Sequence, residues 1–127
     1  MVSETYTGPD RRQTFRIKYE GQGQLSGKGS DGLMHAESVS FVNLSEGGAC
    51  LKTSLCFGEG SELNLSFKLP GLLNIFLRTK IKVVWCTLYP MERCYLLGLS
   101  FVGALAPFDL TALRSFILSE SKKGAGL

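Results

Sequence analysis

The sequence is poor in the residues that carry out covalent and metal chemistry. Its 127 residues include one histidine, His35, so a Ser-His-Asp triad would have to run through a single imidazole. No G-x-S-x-G elbow accompanies it, which leaves no triad to propose. His35 sits in the glycine-rich stretch GKGSDGLMHAES and reads as a loop or strand-edge side chain. The four cysteines, Cys50, Cys56, Cys86 and Cys94, have no C-x-x-C spacing and no histidine beside them. That argues against a zinc site. They read as reduced, packed thiols, with Cys86 and Cys94 the pair that a hairpin turn at TLYPMER would set face to face. The longest apolar run, around LPGLLNIFL, stops at Arg78, far short of the ~20 residues that span a bilayer. The opening MVSETYTGPD lacks the apolar core of a secretory signal. A soluble cytoplasmic protein without membrane insertion is therefore expected. A net charge of +3 is too small for a dedicated duplex binder, and no nucleic acid partner is expected.

What is present is the composition of a folded domain. Hydrophobic residues make up 44% and charged residues 20%, which excludes disorder and leaves enough apolar surface for one core without disulfides or metals. Residues 1–10 show no periodicity and read as a flexible N-terminal arm. Residues 11–121 read as the domain and 122–127 as a flexible tail. Within the domain, period-two alternation marks half-buried strands. TFRIKYEG sets Phe15, Ile17 and Tyr19 against Arg16 and Lys18; GQGQLSGKGSDG then reads as a loop or loose hairpin. ESVSFVNL and ACLKTSL read as strands flanking the break SEGG. ELNLSFKL is the cleanest strand, with Leu63, Leu65, Phe67 and Leu69 on one face. Ile75 to Cys86 reads as a long strand with Ile81, Val83 and Trp85 inward, and CYLLGLSFVG as the last. Six or so strands joined by short turns suggest a small antiparallel barrel or sandwich. In PFDLTALRSFILSESKK the period changes, and Leu110, Leu113, Phe116 and Ile117 fall at helical spacing. The fold class is thus mainly β, with a C-terminal helix lying over an open end of the barrel.

Two short groups stand outside the core pattern. RRQTFR places Arg11, Arg12 and Arg16 where the arm meets the first strand. An arginine fork donates paired hydrogen bonds to phosphate or to a guanine O6/N7 edge, and its plane stacks on bases. Alone, such a cluster at a terminus is usually a solvated face. NLSEGG carries Asn43, Ser45 and Gly48 at the strand break. Asn43 and Ser45 are two apart and share a face on an extended chain, while Gly48 leaves room for a planar ligand near the backbone. The plainer alternative is an Asx or Ser turn that ends a strand.

Together, R-x-x-x-R (Arg12, Arg16) and N-x-S-x-x-G (Asn43, Ser45, Gly48) resemble the motifs of the PilZ domain, the bacterial receptor for cyclic di-GMP. Asn43 stands where Asp is commoner, a substitution the family accepts. ACLKT, VVW at Trp85 and GLSF at Gly98–Phe101 extend the resemblance over about residues 10–120. The resemblance implies a six-stranded antiparallel barrel with a C-terminal helix, and a receptor rather than an enzyme. It implies that Arg12 and Arg16 grip guanine edges and phosphates as the arm folds over, with Arg11 a third contact. Asn43 and Ser45 would meet a guanine edge, and Gly48 would support the turn beneath. Arg11 beside the motif also implies that the ligand binds as an intercalated pair. No cofactor beyond this ligand is expected. An unidentified effector protein would receive the signal through ordering of the arm. Two other readings compete: a PilZ-like interaction module that does not use nucleotide, and a β-barrel that binds single-stranded nucleic acid.

Overall fold

A computed structural model describes residues 16–29, 31–70, 75–103 and 105–125, with side chains described through residue 121. The expected arm at 1–10, and Arg11 and Arg12, lie outside the described residues.

The chain forms β1 (Ile17–Lys18), β2 (Gln22–Lys28), β3 (Met34–Leu44), β4 (Gly48–Thr53), β5 (Glu62–Leu69), β6 (Ile75–Tyr89), β7 (Cys94–Phe101) and α1 (Pro107–Ala125). All strand pairs are antiparallel, in the order β1-β3-β2-β5-β6-β7-β4. A further pairing joins β4 back to β3, so β2 to β7 close into a six-stranded barrel with β1 continuing along β3. Closure removes the exposed edges that an open sheet would present. The interior is filled by one apolar cluster in which Leu25, Leu44, Leu51, Ile81 and Leu97 are wholly buried. Each such leucine or isoleucine contributes ~1.5–3 kcal/mol of burial energy.

The expected strand count of six holds, but its membership differs. Residues 22–28, read from sequence as a loop, are a barrel strand. Its alternation is real: Gly23, Leu25 and Gly27 face inward, while Gln22, Gln24 and Lys28 face out. Glycine at two of the three inward positions hides the pattern from a hydrophobicity reading. A Cβ at Gly23 would press on Phe41 and Phe67, whose rings meet at 4.8 Å in the interior. A Cβ at Gly27 would run into Leu63. The strand is thin where its neighbours are thick. β1, in turn, shrinks to two residues and continues the line of β2 along β3.

The two ends of the barrel are closed differently. At the end where β3 begins, Phe57 of the β4–β5 loop is buried at 1% exposure and shares a small cleft with Gly29 and His35. At the end where β3 finishes, α1 packs through Leu113 and Ile117, and Phe116 meets Tyr19 edge-on at 5.4 Å. Pro107 opens the helix, where its missing N–H costs nothing, and Asp109 lies in the first turn, where the helix dipole favours a carboxylate. The helix continues through residues 122–125, beyond the boundary at 121 that the sequence suggests.

Two further expectations are corrected in the β6–β7 hairpin. β6 runs to Tyr89, and the turn is only Pro90–Glu92 followed by Arg93, which takes the left-handed conformation at φ 55°. Cys86 therefore opposes Leu97, and Cys94 opposes Tyr89. The two cysteines are three residues out of register, ~10 Å along a strand at ~3.3 Å per residue, and do not face each other. Trp85, expected inside, is 40% exposed. A bulge between Val83 and Trp85 places Val84 and Trp85 both outward and resets the alternation.

Candidate functional site

The exterior of β3, β4, β7 and β6 carries one continuous row of outward positions. Asn43 pairs with Cys50, Cys50 with Gly98, and Gly98 with Trp85. Three interstrand steps of ~4.8 Å separate the ends of this row, ~14 Å along the sheet. At one end, Arg16 Nη1 donates a hydrogen bond to Asn43 Oδ1 at 3.1 Å. The two side chains are 27 residues apart in sequence; β1 pairing with β3 brings them together. At the other end, the Trp85 indole occupies the space that a side chain at Gly98 would need. Glycine at 98 is what lets the ring lie close against β7. The row thus runs from a guanidinium to an aromatic ring across a small-residue floor.

That floor is also electrostatically distinctive. Cys50 is buried at 6% exposure, and burial pushes its thiol pKa up, with the Arg16 charge opposing this. An apolar, uncharged thiol therefore lies beneath a positive guanidinium. Beside the row opens a cleft of about 460 Å³ lined by Lys18, Ser40, Val42, Lys52, Tyr89 and Leu96, among others. Small-molecule sites typically occupy ~300–1,000 Å³. Lys18 pairs with Asn43 across β1 and β3, so the cleft adjoins the Arg16–Asn43 contact. Lys52 Nζ donates to Glu92 Oε1 at 2.8 Å, and this bond raises the Lys52 pKa. It remains a cation throughout the physiological range.

Ser45 and Gly48 form the turn between β3 and β4. Ser45 is 2% exposed. Its Oγ donates to the Gly48 carbonyl and accepts from the Gly47 and Gly48 amides, all at 3.2 Å. The Ser45 amide also donates to the Gly48 carbonyl at 2.9 Å. The hydroxyl is the hub of the turn, satisfying backbone groups that would otherwise be buried without partners. Asn43, two residues earlier, stays half-buried on the outer face. Gly48 fits because a Cβ there would strike the Leu99 carbonyl of β7; its φ is not in the left-handed region. Arg114 Nε of α1 donates to Glu46 Oε1 at 2.9 Å, which ties the terminal helix to the same turn.

Of the residues singled out in the sequence, Arg16 and Asn43 meet, and Ser45 and Gly48 build the turn beneath them. Arg11 and Arg12 precede the described residues by a few positions. Lys18, Lys52, Tyr89 and Trp85 were not identified from the sequence as site residues. Lys18 and Lys52 sit at outward positions of alternating strands, which was readable. The outward turn of Trp85 depends on a bulge that was not. Among the described residues, no group of three or more His, Cys, Asp or Glu side chains is placed to hold a metal. No helix among them is long and apolar enough to cross a membrane.

No curated protein sequence matches significantly. Among solved structures, the inhibitor of motility MotI/DgrA of Bacillus subtilis superposes with a TM-score of 0.75 at 20% identity, over 90% of this chain and 53% of that one. The PilZ domain of YcgR from Escherichia coli, solved with cyclic di-GMP, gives 0.63 at 16% identity, over 91% and 95%. The cyclic di-GMP complex of K. pneumonia MrkH gives 0.65 at 12% identity, over 91% and 55%. This chain thus spans about half the length of MotI/DgrA and of MrkH. The PilZ domain pattern matches residues 10–119, nearly the whole of the sequence, and the chain belongs to the PilZ domain family.

Proposed function

We propose that this chain is a cyclic di-GMP receptor that performs no bond-making chemistry. The observation that carries this reading is the 3.1 Å hydrogen bond from Arg16 to Asn43. It joins the two motif halves beside an open cleft lined by Lys18, Lys52 and Glu20. In the ligand complex, Arg16 exchanges this neutral partner for a phosphate or guanine edge, where a charged fork bonds about twice as strongly. Asn43 is then released to pair with a guanine edge. Arg11 and Arg12 extend the same set of guanidinium groups, and Ser45 and Gly48 hold the turn that presents Asn43. Two structural neighbours of this chain were solved with cyclic di-GMP, which agrees with this assignment.

The row from Asn43 to Trp85 suits a ligand with two flat bases. Trp85 offers an exposed ring for stacking, and Lys18 and Lys52 can turn from Glu20 and Glu92 to phosphate. Two ligand molecules, stacked as an intercalated pair, carry four phosphates; Arg11 supplies the additional donor that such a pair needs. Ordering of residues 1–14 over the bound ligand would create the surface that an effector protein reads. Side-by-side titration with cyclic di-GMP and with a single-stranded oligonucleotide, in ~0.15 M salt, tests the reading, since weak counterion-driven contacts are attenuated there. Saturable binding of cyclic di-GMP alone is expected. Preference for the oligonucleotide would overturn it.

A further inference from the structure

The correction at the β6–β7 hairpin separates Cys86 from Cys94 and gives it another neighbour. Cys86 lies two residues past the bulge, half-buried, with its side chain packed against the core. The β4–β5 loop is laid along this part of β6: Gly60 N–H donates to the Val83 carbonyl at 2.7 Å, and Val83 N–H donates to the Ser61 carbonyl at 2.9 Å. Leu55 and Phe57 anchor the loop in the apolar cluster. Cys56, between them, is exposed, and the loop continues the β5–β6 register beyond Glu62 opposite Lys82, which carries residues 56–58 alongside Cys86, where the Cys56 thiol influences that of Cys86. Both are free thiols. Cys86 follows Trp85 in β6 but packs toward the core while Trp85 is exposed, and neither thiol has a part in the proposed receptor function.

We propose that Cys56 and Cys86 form an oxidisable dithiol, a modification site at which a hydroperoxide closes an intramolecular disulfide between the β4–β5 loop and β6. The environments of the two thiols assign their roles. Cys56 opens on a cleft of about 80 Å³ that it shares with Asp31 and His35. That space admits a small peroxide, water taking ~30 Å³ of liquid volume. Cys86 is shielded; burial and the Cys56 contact push its thiol up to about 11, so it keeps its proton and reacts second. The Cys56 thiolate attacks one oxygen of the hydroperoxide, the O–O bond breaks, and an alcohol or water leaves. The sulfenic acid so formed at Cys56 is attacked by the Cys86 sulfur, whose proton leaves with the departing hydroxyl as water. Two thiols lose two electrons and two protons, and the hydroperoxide gains them. The loop is already bonded to β6 at Val83, which limits how far the two thiols can separate.

Peptide mapping of the full chain, before and after hydrogen peroxide, tests this. The native protein is treated at neutral pH, its remaining thiols are alkylated, and the digest is read by mass spectrometry, with dimedone added in a parallel sample to trap sulfenic acid. The expected product links Cys56 to Cys86 within one chain and reverts with dithiothreitol. Cys86→Ser, or Cys86→Ala should the serine variant fail to fold, should instead accumulate the dimedone adduct at Cys56. Cys94→Ser should leave the cross-link unchanged. Cys56 and Cys86 both remaining alkylatable in the wild type would overturn the proposal. So would equal trapping at Cys56 with and without Cys86, or a cross-link that engages Cys94, Cys50 or a second chain.

Discussion

Trp85 and Gly98 face each other across β6 and β7, and the indole fills the volume that any side chain at 98 would claim. The pair turns an exposed tryptophan into a fixed aromatic ledge on the outer wall of the barrel. Base–aromatic stacking contributes ~1–3 kcal/mol per base. Trp85→Ala is therefore expected to weaken cyclic di-GMP binding by roughly tenfold or more, with the melting temperature little changed because the ring is not in the core. Gly98→Val should displace the indole and give the same binding loss with Trp85 still present. Titration of both variants, with the fluorescence of Trp85 followed in the second, checks this. Unaltered affinity in both would remove Trp85 from the site.

Arg16 and Asn43 should behave as a coupled pair. Loss of a charge-assisted hydrogen bond costs ~1.5–3 kcal/mol, so Arg16→Ala should lower affinity about ten- to a hundredfold. Asn43→Ala should weaken binding less, by removing an amide that competes for Arg16 in the free protein as well as serving the ligand. The double variant should fall short of the sum, since neighbours in one network are not additive. Strict additivity in a double-mutant cycle would contradict the shared site.

The turn makes a stability prediction that is separate from binding. Ser45→Ala leaves the Gly47 and Gly48 amides without their partner, at ~1–3 kcal/mol for buried unsatisfied groups. Gly48→Val forces the β4 backbone away from the Leu99 carbonyl, an overpacking cost of ~1–3 kcal/mol. Chemical denaturation should show both losses in the absence of ligand. Full stability in Gly48→Val would mean that the β4–β7 approach is slacker than the geometry requires.

Asp31 makes the β2–β3 hairpin sensitive to acid. The Leu33 amide, at 2.9 Å, and then the His35 ring, at 3.0 Å, hold its carboxyl below the usual carboxylate range. A carboxyl lowered on folding stabilises the protein above its unfolded pKa of ~3.9 and loses that contribution as the pH falls through the folded value. Amide protection at Leu33 should therefore persist at neutral pH and drop as the pH falls below about 4. Asp31→Ala should abolish the step. A flat profile through that window in the wild type would contradict it.

The parts of this protein that were legible in the sequence are those where side-chain size follows the strand period. ELNLSFKL declares β5 because all four inward positions are large and apolar. GQGQLSGK conceals β2 because the barrel needs small residues beside Phe41 and Phe67, and glycine carries no hydrophobic signal. The inward reading of Trp85 failed at a single bulge, a backbone event with no sequence signature in V-V-W. Arg16 and Asn43 were legible as site residues only through their motifs, since neither composition nor periodicity links positions so far apart. The Cys56–Cys86 contact was invisible for a similar reason: it depends on where a loop lies across a strand, not on spacing along the chain.

Isothermal titration calorimetry with cyclic di-GMP, on the wild type and on Arg12→Ala and Arg16→Ala, tests the receptor assignment most directly. The wild type should bind saturably, near two ligands per chain, and each substitution should reduce affinity about tenfold or more while circular dichroism shows the barrel intact. Absence of binding heat in the wild type across several temperatures, or wild-type affinity in both variants, would contradict it.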